Sequence, residues 1–412
     1  MRSPSRTVLA GFIVALGLLL MARPTSAYPW MIRHAYAGCN QCHADPSGGG
    51  LLTEYGRAQG ELLLRTQYGK APEEPGRIAE FLGFIQTPTP LLLGGDVRGA
   101  MVASLVPGQS AQTTFFLMQS DLEGQVKVGP FRANGSIGFA QQGAYGASIT
   151  ESNENNLVSR VHWLGVDLGD DDQFTIRAGR LNVPFGLRSV EHDAWTRVYT
   201  RTDSNQDQEY GAAFAWNVAS FRGEIMGIAG NYLESPDRFR ERGYSGYAEW
   251  NGVPGLALGV SSLIVHASQG VDITDGSSPN GTPLPADLIR QAHGIFGRYT
   301  PVKPLVLSLE SDFLYDSQPP TATNAALNSP GVVSQLQVDV EAIQGLHLDV
   351  IGEIVDKQSD LAGGGPAQPW YRAWGFVNWF FAPHADIRLD AIYESDAGFK
   401  ITTIVAQLHA YL

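Results

Sequence analysis

Long apolar runs, basic clusters and cysteines are all scarce in this chain of 412 residues. After the N-terminus, no window offers the roughly 18 apolar residues that a membrane-spanning helix needs. Lys and Arg number 28 against 41 Asp and Glu, and there is no basic patch to hold nucleic acid. The net charge of −13 favours cations but also serves ordinary solubility. The chain is therefore either a soluble β-rich protein or an outer-membrane barrel.

Residues 1–27 have the pattern of a secretory signal peptide. Arg2 and Arg6 form a positive start, residues 8–21 are apolar, and Ala27 ends a small-residue cleavage pattern. An N-terminal membrane anchor is the alternative, but the apolar stretch is short and a cleavage pattern follows it. We expect the mature protein to begin at Tyr28, outside the cytoplasm.

The only two cysteines stand in the pattern Cys39-Asn40-Gln41-Cys42-His43, which is typical of covalent haem attachment. Each thiol adds across one haem vinyl group, and two intervening residues let both thioethers reach the same face. The next residue, His43, then places its imidazole on the iron as the proximal ligand. The sequence therefore predicts one covalent haem c bound through Cys39, Cys42 and His43.

Three other interpretations of the cysteine pair are weaker. A disulfide is possible in an exported protein, but two-residue Cys-x-x-Cys loops are strained and mostly redox-active. A zinc site needs a second pair of ligands, and no nearby Cys or His pair exists. A thioredoxin-like motif belongs in a βαβ context, which is absent.

The second axial ligand of the iron is open on sequence alone. His34 and Met31 lie just upstream, and we favour His34, which would set a lower potential than Met31. A ligand from the barrel wall is the third alternative. The segment from Asp45 to Gly50 has the composition of a flexible loop, and residues 51–57 are expected to start a short helix over the haem edge.

Beyond residue 90, apolar and polar residues alternate with the period of two that is typical of β-strands. The segment 346–355, for example, places Leu348 and Val350 on one face and His347 and Asp349 on the other. The segments at 305–313, 386–394 and 404–412 alternate in the same way.

Connections between these segments alternate in length. We expect short turns at 128–130, 169–172, 217–220, 251–255, 300–303, 342–345 and 381–384, and longer loops near 106–111, 141–155, 183–208, 232–241, 267–287, 316–330, 356–369 and 394–399. This pattern predicts an all-β fold, an antiparallel barrel of about 16 strands with periplasmic turns and extracellular loops. The predicted division is 28–60 for the haem-binding segment, 61–90 for a linker and 91–412 for the barrel.

A large soluble β-protein is the alternative, because sequence alone does not say which face of each strand meets lipid. The export signal, the alternating turn lengths and a chain end within a strand favour the membrane. So do aromatic residues near strand ends, as in interfacial girdles: Trp370, Tyr371, Trp374, Trp379, Phe380 and Phe381. We therefore expect an outer-membrane protein in contact with lipid, with its haem segment in the lumen or the periplasm.

Eight carboxylates are expected to face the lumen: Glu310, Asp312, Asp339, Glu341, Asp349, Glu353, Asp386 and Asp390. Together these carboxylates predict a lumen that attracts cations. The alternative, for each carboxylate taken alone, is that it only keeps the lumen hydrated.

At the haem motif the sequence resembles the fused cytochrome–porin outer-membrane proteins of iron-oxidising bacteria. Cys39-x-x-Cys42-His43 is followed by Leu52-Thr53-Glu54-Tyr55-Gly56-Arg57, similar to that family's Leu-Thr-x-aromatic-Gly-Arg. The resemblance is sharp over residues 35–60 and architectural over the barrel, where residues 178–187 look like general porin sequence. The insert from Asp45 to Gly50 departs from the family's usual spacing.

This resemblance implies electron transfer across the outer membrane, from an extracellular donor such as Fe(II), through the haem, to a periplasmic c-type cytochrome. The protein would then be an Fe(II):cytochrome oxidoreductase or a plain electron carrier. A solute porin with a structural or sensory haem, electron export to an extracellular acceptor, and a haem peroxidase with an open sixth position are the alternatives.

Overall fold

The computed structural model describes residues 29–34, 36, 38–69, 80–82, 85–88, 90–141, 145–150, 156–169, 173–234, 237–269, 271–272, 282–283, 287–320, 326–357, 369–395 and 400–412. The predicted signal peptide at 1–27 and Tyr28 lie outside the described residues, as does much of the predicted linker. Within the described part of the chain, no helix is long and apolar enough to cross a bilayer.

Sixteen antiparallel strands form one closed barrel. They are β1 (Leu91–Leu105), β2 (Gln112–Val128), β3 (Phe131–Ala140), β4 (Asn156–Val158 with His162–Leu168), β5 (Phe174–Asn182), β6 (Gln208–Val218), β7 (Phe221–Gly230), β8 (Arg242–Val253), β9 (Leu256–Ala267), β10 (Leu288–Val302), β11 (Leu305–Gln318), β12 (Leu327–Ile343), β13 (Leu346–Lys357), β14 (Trp370–Ala382), β15 (Ala385–Ser395) and β16 (Lys400–Tyr411). The two pieces of β4 both pair with β3 and act as one strand. β1 pairs with β2 and also with β16, so the sheet has no free edge. The predicted fold class is confirmed.

Short helical elements and one small ribbon complete the described structure. They are a 3₁₀ turn (Pro29–His34), α1 (Glu54–Gln59), a π-helical turn (Gly60–Leu64), a 3₁₀ turn (Tyr145–Ala147), α2 (Trp195–Thr200), a 3₁₀ turn (Asp237–Phe239) and a ribbon that pairs Val271–Asp272 with Thr282–Pro283. The short turns and longer loops fall between the strands where the sequence predicts them, and in outer-membrane barrels the short turns face the periplasm.

The apolar face of each strand points outward. In β13, Val350 is 61% exposed whereas the Asp349 beside it is 3% exposed. A soluble protein would expose the polar set instead, so this inversion excludes the soluble alternative. The protein is an outer-membrane barrel whose wall contacts lipid.

The predicted aromatic girdle is confirmed in part. Tyr371 and Trp379, near opposite ends of β14, are 54% and 40% exposed on the outer surface. Trp374 and Phe380 are instead buried on the inner face of the same strand. Alternation within the strand explains this, because residues an even number of positions apart share a face.

The long loop between β5 and β6, residues 183–207, folds into the lumen and is called the inward loop below. Its backbone binds wall carboxylates: Leu187 N donates to Glu310 Oε2 (3.1 Å) and Trp195 N donates to Glu353 Oε1 (2.6 Å). Arg197 forms an ion pair with Glu310. These bonds hold the loop across the barrel.

Residues 29–67, here called the N-terminal plug, fill the short-turn end of the barrel. Trp30 lies against His347 of the wall, with ring centroids 4.1 Å apart, and Arg33 forms an ion pair with Asp339. Thr66 N donates to Phe380 O (2.9 Å).

The predicted boundary at residue 60 falls inside this packed segment. The π-helical turn Gly60–Leu64 continues directly from α1, and Gln344 of a wall turn donates to Leu62 O (2.9 Å). Residues 61–67 therefore belong to the plug and not to a linker. The sequence does not show that residues 61–67 pack in the plug, because the contact from Gln344 to Leu62 joins residues 282 positions apart.

Replacing Val350 by Arg places a charge on the lipid face near the middle of β13. We expect Val350→Arg to reduce the free energy of unfolding by about 2–4 kcal/mol, measured by denaturant titration in lipid vesicles. Val302→Arg is the matched control, because Val302 also faces outward but lies beside the turn at 303–304, where the cost is about 0–1 kcal/mol. Equal losses for the two variants would contradict the assigned lipid-facing surface.

Candidate functional site

The residues of the cysteine motif form one tight turn inside the barrel. Cys42 N and His43 N both donate to Cys39 O, at 3.2 Å and 3.0 Å. Both cysteines are free thiols and are buried. Burial raises the pKa of Cys42 to about 12, so its thiol stays protonated at neutral pH. Among the described residues, no three His, Cys, Asp or Glu side chains come together in a group that could hold a metal ion.

Cys39, Cys42 and His43 line one cavity between the plug, the wall and the inward loop. Cys39 Sγ also accepts a hydrogen bond from Arg222 Nη1 of β7 (3.3 Å). The cavity contains about 1500 Å³ of atom-free space, part of which is open to solvent. Besides the motif, its lining includes Met31 and Leu64 of the plug, Arg98, Arg160 and His409 of the wall region, and Arg188 and His192 of the inward loop. The predicted haem-binding residues thus converge on a large cavity in the lumen.

His43 lies deep in the barrel but keeps part of its surface open to the cavity. Its Nδ1 is 3.4 Å from Gly50 O, so an N–H at Nδ1 donates to that carbonyl and leaves the Nε2 lone pair free. Burial lowers the pKa of His43, which favours the neutral ring. A neutral imidazole with one oriented lone pair is the form that binds iron.

The segment from Asp45 to Gly50 is pinned, contrary to the flexible loop that its composition predicts. Asp45 Oδ2 pairs with Arg177 Nη1 (2.8 Å), and Arg188 Nε donates to Ser47 O (3.0 Å). Burial alone would raise the pKa of Asp45, but Arg177 and hydrogen bonds from Ser47 outweigh it and hold the pKa below its usual value. The aspartate is therefore charged and holds the loop to the wall.

Two glycines are required by close approach to the motif. Gly48 has φ +89°, and a Cβ there would lie 2.8 Å from Cys39 Sγ. A Cβ on Gly56 would overlap the carbonyl of Cys42, so α1 lies directly against the motif. Thr53 caps this helix by accepting a hydrogen bond from Gly56 N (3.0 Å). The short helix predicted to start within residues 51–57 is confirmed as α1. Thr53 thus caps this helix, and Gly56 allows it to lie against Cys42.

Of the two candidate distal ligands, only Met31 reaches the cavity. Met31 is 1% exposed and contributes to the lining. His34, which the sequence favours, does not line it, and its Nε2 lies 3.7 Å from Glu341 Oε2. The distal ligand stays a prediction, and of the two candidates Met31 lies at the cavity whereas His34 does not. Two further histidines line the cavity, His409 of the wall and His192 of the inward loop.

The eight predicted lumen carboxylates do not form the expected free negative surface. Six of them pair with an arginine or histidine: Glu310 with Arg197, Asp339 with Arg33, Glu341 with Arg33, Glu353 with Arg372, Asp390 with Arg388 and Asp386 with His409. Arg33 and Arg197 come from the plug and the inward loop, far from their partners in sequence, so strand patterns could not reveal those pairs.

Sequence reasoning also missed Arg98, Arg160 and Arg188 in the cavity wall. Each comes from a different element, and no local motif marks them. The one available signal was an arginine at an inward-facing position of a strand, and of the three only Arg98 lies on a strand.

No family model matches the sequence, and the comparison with curated proteins finds no match. Solved outer-membrane barrels do resemble it in fold. OmpT of Vibrio cholerae has a TM-score of 0.58 at 12% identity, covering 80% of this chain and 100% of that one. The channel DcaP of Acinetobacter baumannii has 0.57 at 10% identity, covering 80% and 99%. The anion-selective porin from Comamonas acidovorans has 0.55 at 10% identity, covering 78% and 99%.

This chain has the fold of these outer-membrane barrels. At 10–12% identity this likeness shows the fold only.

Gly48→Ala is expected to displace the Cys39 thiol, because the added Cβ lies against its sulfur. In haem-free protein refolded from inclusion bodies, we expect Cys39 to react with a maleimide severalfold faster than in the unmodified chain. Gly49→Ala is the control: Gly49 has a similar φ of +81° but nothing within 4 Å of the added Cβ. Both variants bear the backbone strain of roughly 1–3 kcal/mol, so equal labelling rates would refute the contact.

Proposed function

We propose that this protein is a monohaem cytochrome c fused to a porin-type barrel, and that it transfers electrons across the outer membrane. One observation carries the proposal: a Cys-x-x-Cys-His turn places Cys39, Cys42 and His43 in the lining of one large cavity inside a membrane barrel. A soluble periplasmic carrier cannot reach an extracellular partner through lipid, and a redox centre in the lumen would shorten that distance.

The residues present fit a haem. Cys39 and Cys42 would hold it by thioether bonds, and His43 would bind its iron through Nε2 while Gly50 orients the ring. Gly48 leaves room beside Cys39 that any side chain would fill. The plug and the inward loop both contribute residues to the walls of the cavity. When bound, the haem supplies one-electron exchange between Fe(III) and Fe(II).

We infer that the donor is extracellular and that the acceptor is a periplasmic c-type cytochrome. The support for Fe(II) as donor is the resemblance over residues 35–60, in which the Leu52-to-Arg57 motif now has a structural role against the cysteine turn. The longer loops would face the donor and the plug would face the acceptor. No acid–base residue is required, because the chain only positions, buries and electrostatically tunes the site.

A solute porin with a structural haem is the second candidate, and two observations favour it. Two of the similar structures are an outer-membrane channel and an anion-selective porin. In addition, a second open space in the lumen, about 1240 Å³, runs beside β1, β14, β15 and β16. It is bounded by charged side chains that include Arg372, Arg388 and Glu394. Flux of small solutes through liposomes, with no haem reduction by any external donor, would favour this function.

The deciding experiment uses protein from a host that matures c-type cytochromes. We expect the mass of the denatured protein to include one haem, and Fe(II) added to intact cells to give the reduced spectrum. The double variant Cys39→Ala/Cys42→Ala should fold as a barrel without covalent haem, because neither thiol takes part in the strand pairing.

Colourless denatured wild-type protein would end the cytochrome proposal. Haem that is present but is not reduced by Fe(II) would end the iron-oxidising version. In that case, reduction from the periplasmic side by a reduced cytochrome would indicate electron export.

The distal ligand can be tested by absorption spectroscopy of the purified holoprotein. Because Met31 lines the cavity and His34 does not, we expect Met31→Ala to change a six-coordinate low-spin spectrum to a high-spin one. His34→Ala is the control and should leave the spectrum unchanged. The reverse outcome would restore His34, and no change in either variant would direct attention to His192 or His409.

A further inference from the structure

Two arginines in the cavity wall have no anionic partner. In the part of the chain that the structure describes, no carboxylate oxygen lies within 4.0 Å of a guanidinium nitrogen of Arg98 or Arg188. Arg188 donates to two backbone carbonyls, those of Ser47 (3.0 Å) and Val183 (3.3 Å). Nε of Arg98 is buried without a hydrogen-bond partner among the described residues.

The other charged groups that line the cavity are compensated. Arg160 pairs with Asp121, Asp45 pairs with Arg177, and Asp96 lies 3.1 Å from His409 Nε2. The third carboxylate of the lining, Glu123, accepts a hydrogen bond from the backbone of Leu51. Arg98 and Arg188 are therefore the two arginines of the lining that form no ion pair within 4.0 Å among the described residues.

Arg98 contacts one imidazole as a donor. Its Nη1 is 3.3 Å from His192 Nε2. His192 Nδ1 lies 3.0 Å from a carboxylate oxygen of Asp203, which requires the N–H at Nδ1. The Nε2 of a neutral His192 is then an acceptor that faces Arg98 and orients its guanidinium. His409 Nε2 also lies 3.4 Å from Arg98 Nη2, but that nitrogen donates to Asp96 Oδ1 (3.1 Å) and does not accept from Arg98.

A partly buried cation without a counter-charge is costly, and proteins pair such groups or use them to bind anions. Guanidinium groups bind carboxylates with particular strength, through charge-assisted hydrogen bonds in a matching geometry. A haem carries two carboxylate groups on one edge. The cavity that holds its attachment residues therefore offers two unpaired guanidinium groups for two carboxylates.

We propose that Arg98 and Arg188 bind the two carboxylate groups of the haem. This inference rests on the proposed function, since it assumes that the cavity holds a haem. It assigns the orientation of the haem within the cavity to residues of the first strand and the inward loop, outside the attachment motif.

The pairing has a measurable electrostatic consequence. Reduction of the iron removes one positive charge, so a cation held near the haem favours the reduced state and raises the reduction potential. Removing that cation should therefore lower the potential, whereas a lysine at the same place should preserve most of it.

The test compares redox titrations of purified holoproteins at neutral pH. We expect Arg98→Gln and Arg188→Gln each to lower the potential relative to the wild type, and Arg98→Lys to lower it less than Arg98→Gln. The resonance Raman band of the haem carboxylates should shift in both glutamine variants. Arg372→Gln is the control, because Arg372 bounds the neighbouring space and is already paired with Glu353 and Glu394; its effect should be smaller and should leave the Raman band unchanged.

This inference would be overturned if the wild-type protein carries haem but both glutamine variants have the same reduction potential and Raman band as the wild type. The proposed function would then remain intact. An Arg98→Lys shift as large as that of Arg98→Gln would overturn the assignment of Arg98. If Arg98→Gln does not accumulate, Arg188→Gln and Arg98→Lys provide the same test. Wild-type protein without haem would instead end the proposed function itself.

Discussion

Backbone N–H and C=O groups in a bilayer must bond to one another, because hydrocarbon offers them no partner. This chain meets that constraint by pairing β1 with β16, from Asp96 opposite Tyr411 to Leu105 opposite Thr402. Once the sheet is closed, the number of strands sets the width of the lumen, and every second residue of every strand must face it. The N-terminal plug, the inward loop and the cavity between them all depend on that enclosed space.

The apolar side of the wall faces lipid, so the interior of the barrel is polar. Ion pairs between charged side chains therefore hold the plug and the inward loop inside it. Arg177 joins Glu224 of the wall to Asp45 of the plug, and Arg197 joins Glu310 of the wall to the inward loop. Breaking one partner of such a pair leaves a buried charge unpaired, which typically costs about 3–5 kcal/mol. These pairs therefore fix where the plug and the loop sit, although a pair adds little net stability over a well-packed apolar contact.

The cavity is the region where this compensation is incomplete. Its walls bring together a local motif, Cys39 to His43, and side chains from elements far apart in sequence. Arg98 belongs to the first strand and Arg188 to the inward loop, and only closure of the barrel brings them to the same space. The two arginines without an ion pair, the two cysteines and the oriented imidazole are the features on which the proposed haem site and electron-transfer function rest.

The sequence by itself determined the features that depend on neighbouring residues. Two-residue alternation and turn length predicted the strands and their number, because a pleat repeats every second residue. The spacing of Cys39, Cys42 and His43 predicted one haem-attachment turn, which stays a prediction. Only the tertiary structure decided which face of β13 meets lipid, that residues 61–67 belong to the plug, and that Met31 and not His34 reaches the cavity. It also decided that the loop from Asp45 to Gly50 is pinned, since its partner Arg177 lies more than 130 residues away. These outcomes depend on contacts between segments that become neighbours only when the first and last strands join, and no local pattern encodes them.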